Sequence, residues 1–242
     1  TSVPDERMTS YVDFPETREL TSRTLTLDSA LFRYPYRVRV QDDKAVVFDL
    51  HGTEYFFHAF HYPGFHYLSS FGKRGDAPEE MLSAENLRWN GNFLWTLDSN
   101  KSELTRLGFA SSGDSLLRLE TVSLDEEQLR ALDFVQYDDS TFIIPDYSGD
   151  GRFCLVSRQG RLLRKIGTIP TTNEDALKNA RPALAQAWRS FIDYNPRNGV
   201  LAAVTQLGEV LEIYNLKDST HIVRIGPNGE PEFQISQGYG IP

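Results

Sequence analysis

Hydrophobic and polar residues alternate in short runs along most of the chain, and Gly, Asp and Asn separate the runs. Runs of this kind, rich in Val, Ile, Phe and Tyr, predict β-strands joined by tight turns. Four successive groups each contain four such runs, and their second runs are "AVVFD", "FLWTLD", "TFIIPD" and "VLAAVTQ". The pattern therefore predicts an all-β chain built from a repeated unit of four antiparallel strands.

The repeat has a measurable period. The second runs end at Asp49, Asp98, Asp146 and Gln206, so the gaps between units are 49, 48 and 60 residues. Four antiparallel strands recurring every ~40 to 50 residues are typical of propeller blades rather than of a sandwich. We predict blades at 36–72, 85–123, 131–167 and 190–226.

The long last gap has a local cause. Residues 173–189, "NEDALKNARPALAQAWR", predict an inserted helix that Asn173 caps and that Pro182 breaks or kinks. A second short helix is predicted at 124–132, "LDEEQLRAL". The Ala, Leu and Trp residues of the first insertion form an apolar stripe that we expect to pack against the sheets.

The two ends of the chain lie outside the four units. We divide the sequence into an N-terminal segment, 1–17, and a propeller domain, 18–242, with a further blade starting at 232–242. Residues 18–27 look like an extra strand, and in propellers such a strand often joins the last blade. Two interpretations stay open: a four-bladed ring, or an open arc of four blades out of six.

Composition limits the function classes. The 242 residues carry a net charge of −9, which disfavours nucleic acid because a polyanion needs a concentrated basic surface. No apolar run approaches the ~20 residues that span a bilayer. The polar start "TSVPDERMTS" fits a cytosolic protein or a mature protein whose leader has been removed. Cys154 is the single cysteine and lies in a strand pattern, so we expect a buried structural thiol.

A histidine-rich segment, residues 51–68, raises the question of a metal. Strand alternation places His58 and His61 on opposite faces, with His51 in the preceding turn and His66 beyond the next turn. Ligands from one strand would need even spacing, so we predict no metal site and interpret the segment as an aromatic strand.

Other motifs also have structural explanations. "DYSGDG", 146–151, imitates the start of a calcium loop but has Ser157 where such a loop needs a bidentate Glu. "RGD", 74–76, is too short to indicate adhesion. No nucleophile motif or phosphate-binding loop is complete. We predict no cofactor and assign no catalytic residue.

The segment "GFHYLSSFGKRGDAPEEM", 64–81, resembles the blade junction of NHL-type and TolB-like six-bladed propellers. The blade order, the insertion after the third blade and "QGYGIP" are also similar to TolB-like cell-envelope proteins of Bacteroidetes. Ala77 stands where that family often has Gly, and the sequence shows only four blades. The resemblance implies a six-bladed fold and location in the cell envelope, as a periplasmic protein or an outer-membrane lipoprotein whose leader and lipid anchor lie outside this sequence.

Three functions remain open. The chain is a binding scaffold for a protein or glycan, a propeller enzyme (a hydrolase or lyase with a site at the central channel), or a part of a larger machine. The first is favoured because the first strands carry few acids and no histidine. The candidate partner face comprises strand-end, turn and insertion residues: Asp49, His51, Asp98, Asp146, Gln206, Lys178 and Arg181. Asp commonly ends strands by bonding its own turn, which is the structural alternative for the carboxylates.

Overall fold

The computed structural model describes residues 8–10, 14–27, 31–127 and 130–233, which contain four β-sheets and two short helices. The strands of sheet one are β2 (Pro35–Gln41), β3 (Lys44–Asp49), β4 (Tyr55–His61) and β5 (His66–Lys73). Those of sheet two are β6 (Ala84–Asn90), β7 (Phe93–Asp98), β8 (Glu103–Phe109) and β9 (Leu116–Ser123). Those of sheet three are β10 (Val135–Asp138), β11 (Thr141–Pro145), β12 (Phe153–Ser157) and β13 (Leu162–Ile166).

Sheet four has one strand more than the others. It contains β14 (Ser190–Asn195), β15 (Val200–Thr205), β16 (Val210–Asn215) and β17 (Thr220–Ile225), and β1 (Met8–Ser10) adds to β17 in parallel. The prediction of a strand at 18–27 is wrong, because residues 14–27 form no strand. An extra strand does join the last sheet, but it comes from further upstream. The repeated four-strand antiparallel unit is confirmed.

Burial explains why the second strands read as continuous apolar runs. Residues 45–49 of β3 and 94–98 of β7 are all buried, because both faces of these inner strands are covered. The outer strands β5 and β9 keep exposed positions and therefore a mixed sequence. Position within the sheet thus accounts for the difference in composition between strands.

The insertion forms two helices rather than one. α1 (Glu174–Asn179) begins after Asn173, whose side chain accepts the Ala176 N–H at 3.0 Å, as predicted. The break falls at Ala180, and Pro182 lies in the first turn of α2 (Arg181–Ala187), where its missing N–H costs nothing. Neither helix, nor any other segment of the described residues, forms a helix long and apolar enough to cross a bilayer.

The second predicted helix, at 124–132, does not form. Residues 124–127 and 130–132 carry no helix, and Gln128 and Leu129 lie outside the described residues. The predicted start of a further blade at 232–242 also lies outside them from residue 234 onwards.

The described residues fall into two compact units. Unit 1 comprises 8–10, 14–19, 135–155 and 163–233, and unit 2 comprises 20–27, 31–127, 130–134 and 156–162. The core of unit 2 is aromatic: the ring of Phe57 lies 5.3 Å from that of Phe48 and 5.1 Å from that of Phe71. In unit 1 the apolar stripe of the helices packs against Val210 and Val223 of sheet four, with Trp188 fully buried.

Candidate functional site

Two predicted carboxylates, Asp49 and Asp98, lie at equivalent ends of their second strands and are buried. Each accepts two backbone N–H groups from residues 15 and 16 positions earlier in the chain. The donors are Arg33 (2.8 Å) and Tyr34 (2.6 Å) for Asp49, and Leu82 (2.7 Å) and Ser83 (3.3 Å) for Asp98. These bonds attach the segment that enters each sheet to the end of its second strand. The two carboxylates therefore have a structural role in each sheet, because backbone N–H groups occupy their oxygens.

The turn "DYSGDG" is held by its own donors and by two cations. Asp146 accepts Ser148 N at 3.0 Å and Gly151 N at 2.8 Å, and Lys165 Nζ lies 3.1 Å from it. Asp150 pairs with Lys165 at 3.2 Å and with Arg181 at 3.4 Å. The Lys165 hydrogen bond lowers the pKa of Asp150. The carboxylates of this turn are already neutralised by protein groups, as in an Asx-type turn.

The remaining predicted residues are on the surface. The Gln206 backbone N–H donates to the Arg189 carbonyl at 2.8 Å, and the Gln206 residue is exposed. His51 is exposed, with its ring 5.3 Å from that of Tyr34. Lys178 is exposed on α1. Of the seven predicted residues, the structure links Asp146 and Arg181 through Lys165 and Asp150 in unit 1, while Asp49, His51 and Asp98 belong to unit 2.

The histidines of the aromatic strand have different surroundings. His58 is buried, its Nδ1 lies 2.7 Å from Ser70 Oγ, and Phe32 packs edge-on at 5.3 Å. Burial lowers the pKa of His58, against the opposing charge of Asp49. His61 faces His66 across the β4–β5 ladder and is exposed. The described residues hold no group of three or more His, Cys, Asp or Glu side chains arranged to bind a metal.

The cysteine is a structural thiol, as predicted. Cys154 is 1% exposed in β12, and burial raises the pKa of its thiol to about 12. A thiol held in its neutral form is a poor nucleophile and a poor metal ligand.

A buried charged cluster in unit 1 was not predicted. Arg152 donates from Nε at 2.9 Å and from Nη2 at 2.7 Å to Glu212 Oε2, and from Nη2 to Ser190 Oγ at 2.7 Å. Tyr214 Oη donates to Glu212 Oε1 at 2.7 Å. His221 stacks on Tyr214 with ring centroids 3.9 Å apart, and its Nε2 lies 3.5 Å from Glu212 Oε1. Glu212 is 0% exposed, and its carboxylate accepts hydrogen bonds from Arg152 and Tyr214.

Electrostatics sets the charge states within this cluster. Burial alone would raise the pKa of Glu212, but the charge of the Arg152 guanidinium and the hydrogen bonds from Arg152 and Tyr214 outweigh it and lower that pKa. Burial, reinforced by the Glu212 charge, raises the pKa of Tyr214. The glutamate is therefore ionised and the phenol neutral. The Tyr214 hydroxyl donates to the Glu212 carboxylate, and this hydrogen bond holds the Tyr214 ring in place. The sequence did carry a signal: Glu212 shares strand parity with Val210 and Tyr214, the buried positions of β16.

A pocket of about 290 Å³ lies beside this cluster, within unit 1. Its apolar lining comes from sheet three and the end of β16: Ile143, Leu155, Ile166, Tyr214 and Leu216. Its polar lining comes from β10, the end of β13 and the β16–β17 turn: Tyr137, Arg164, Thr168, Asn215, Ser219, Thr220 and His221. Two lining side chains, Tyr214 and His221, also belong to the buried cluster. The cluster thus fixes one wall of the pocket.

A second buried polar group lies in unit 2, where Asp133 accepts Asn86 Nδ2 at 2.6 Å and Arg88 Nη2 at 3.3 Å. Asn86 and Arg88 share one face of β6, and Asp133 precedes β10. This group joins strands and does not line the pocket described above.

Comparison with known proteins gives a family and a fold. The model of the TolB-like 6-blade propeller-like family matches residues 13–241. A Bacteroides fragilis protein described as exported superposes with a TM-score of 0.53 at 10% identity, covering 89% of this chain and 79% of that one. No curated protein matches the chain.

Two further structures have the same fold. The β-propeller domain of Myceliophteria thermophila Cps50 (Swd1) gives a TM-score of 0.52 at 16% identity over 86% of this chain, and a Bacteroides vulgatus member of the duf4221 family gives 0.51 at 11% identity over 85%. The chain spans 59% and 60% of these two proteins. At such identities the likeness shows the fold alone.

Proposed function

Because the chain belongs to the TolB-like 6-blade propeller-like family, we propose that it is an exported cell-envelope propeller that acts as a binding scaffold. The family match bears out both the resemblance seen in the sequence and the all-β propeller class. Export is supported by the Bacteroides fragilis protein of the same fold that is described as exported. Propellers are rigid frames whose loops and pockets supply specificity.

The observation that carries the binding role is the pocket of unit 1. At about 290 Å³ it lies at the lower end of the range of small-molecule sites, and it combines an apolar lining with a few polar groups. One wall is held in place because Tyr214 donates to the buried carboxylate of Glu212 and His221 stacks on the Tyr214 ring. A wall that is fixed before binding spares the ligand the cost of ordering it.

A protein or glycan partner would use a different surface. The helices bury Ala176, Leu184 and Trp188 against sheet four, so Lys178 and Arg181 point to solvent. Sheet packing does not need these two cations: Arg181 makes an exposed pair with Asp150 and donates from Nε to the Leu177 carbonyl at 2.7 Å, both on the surface. We propose this helix surface as the partner site of the scaffold.

The test has two parts. Antibody detection in fractions of the host cell should place the chain in the envelope, and recovery from the cytosol alone would refute export. Ligands found by thermal-shift screening should raise the Tm of the wild type and of Thr168→Ser, but not of Thr168→Trp, since Thr168 is exposed and lines the pocket. A Tm shift that survives Thr168→Trp would place binding elsewhere.

A further inference from the structure

The charge of the pocket lining contrasts with that of the chain. The protein has a net charge of −9, yet the lining contains one guanidinium, from Arg164, and no Asp or Glu. Arg164 is exposed, and among the described residues no carboxylate lies within ion-pair distance of it. The neighbouring Lys165, by contrast, is engaged by Asp146 and Asp150. Arg164 is therefore available to a ligand.

The buried carboxylate of the neighbouring cluster does not line the pocket. Glu212 is 0% exposed and is already hydrogen-bonded by Arg152 and Tyr214. The polar groups that line the pocket outside this cluster are the Arg164 guanidinium, the Asn215 amide and the hydroxyls of Tyr137, Thr168, Ser219 and Thr220. Guanidinium and hydroxyl donors together suit a carboxylate, which accepts several hydrogen bonds at once.

The rest of the lining is apolar. Ile143, Leu155 and Ile166 come from three adjacent strands of sheet three, and Leu216 directly follows β16 of sheet four. Burying hydrocarbon against these side chains is favourable and non-directional. The pocket therefore combines one charged group, the Arg164 guanidinium, with an apolar surface.

Resting on the proposed binding role, we infer that this pocket takes a small organic monocarboxylate with an apolar body. The carboxylate meets the Arg164 guanidinium, and the apolar body lies against the Ile143, Leu155 and Ile166 side chains. Both aliphatic and aromatic acids have this chemistry, so the experiment uses one of each.

The experiment measures binding of hexanoate and 3-phenylpropionate, each paired with its neutral amide, by calorimetry and ligand-observed NMR. At least one acid should bind the wild type more tightly than its amide. Arg164→Gln should weaken acid binding on the order of tenfold to a hundredfold, the value of a charge-assisted hydrogen bond, and leave amide binding unchanged. Arg197→Gln is the matched control, because it removes one exposed positive charge of unit 1 outside the pocket.

The outcomes separate the inference from the function it rests on. Equal binding of an acid and its amide, or acid binding that Arg164→Gln does not change, would overturn the carboxylate assignment and leave the pocket as a binding site. Binding of neither acid nor amide at millimolar concentration would overturn the inference. Ligands from the screen that respond to Thr168→Trp would then still uphold the binding function, whereas their absence would remove it.

Discussion

The buried Arg152–Glu212 pair supports a sharp prediction for stability. Glu212→Met removes the only carboxylate bonded to Arg152 in the described residues and leaves the guanidinium of a residue that is 3% exposed. Removing one partner of a buried pair typically costs about 3–5 kcal/mol, because the other charge remains desolvated and uncompensated. Arg152→Met should cost a similar amount, since it leaves Glu212 buried without its cation.

The double variant Arg152→Met/Glu212→Met should be far less destabilised than the sum of the two. It buries no charge, and apolar replacement of a buried pair is often close to neutral. The remaining cost is the Tyr214 hydroxyl, which loses its acceptor and forfeits about 1–3 kcal/mol. The coupling energy of the cycle should therefore be at least about 3 kcal/mol.

The assay is urea unfolding with hydrogen exchange of peptides that cover β16 and β17, because these strands report on unit 1. Single variants that each cost less than about 1 kcal/mol, or a double variant equal to their sum, would refute the reasoning. Either result would mean that water or relaxation compensates the buried charges.

The same pair should make stability depend on pH in the acid range. The folded pKa of Glu212 lies below its ordinary value of 4.5, so its contribution is present above that value and is lost as the pH falls through the folded pKa. The stability gap between wild type and Glu212→Met should therefore narrow on acidification below about pH 4.5. A gap that stays constant to pH 2 would contradict the lowered pKa.

Two other predictions concern the strand-end carboxylates and the helix surface. Asp98→Ala should lower the free energy of unfolding by about 2–4 kcal/mol, because four backbone N–H groups lose their acceptor. Asp76 is exposed, so Asp76→Ala should change stability little, and equal Tm values for the two variants would contradict the prediction. Lys178→Glu should keep the Tm of the wild type and weaken capture of an envelope protein or glycan partner, while Arg197→Glu should not; unchanged capture by both would move the partner site away from the helices.

Several local features could be predicted because their causes lie within a few residues. The Asn173 cap needs only the N–H three positions later, and the interruption before Pro182 follows from the proline ring. The apolar stripe of the insertion could also be predicted from residue spacing, and Trp188 is buried as expected. The His58 and His61 alternation follows from strand parity, and the two residues do differ in burial.

The sequence by itself determined the four-strand repeat, the place of the insertion and the strand ends at Asp49 and Asp98, since period-2 patterning and turn residues are local signals. Only the tertiary structure decided which distant side chains meet. β1 pairs with β17 at the opposite end of the chain, and Arg152 reaches Glu212 over 60 residues. Such contacts depend on how strands pair and sheets pack, which no window of the sequence encodes. The pocket and its Arg164 guanidinium could not be predicted for the same reason, because the lining combines four strands of one sheet with a hairpin of another.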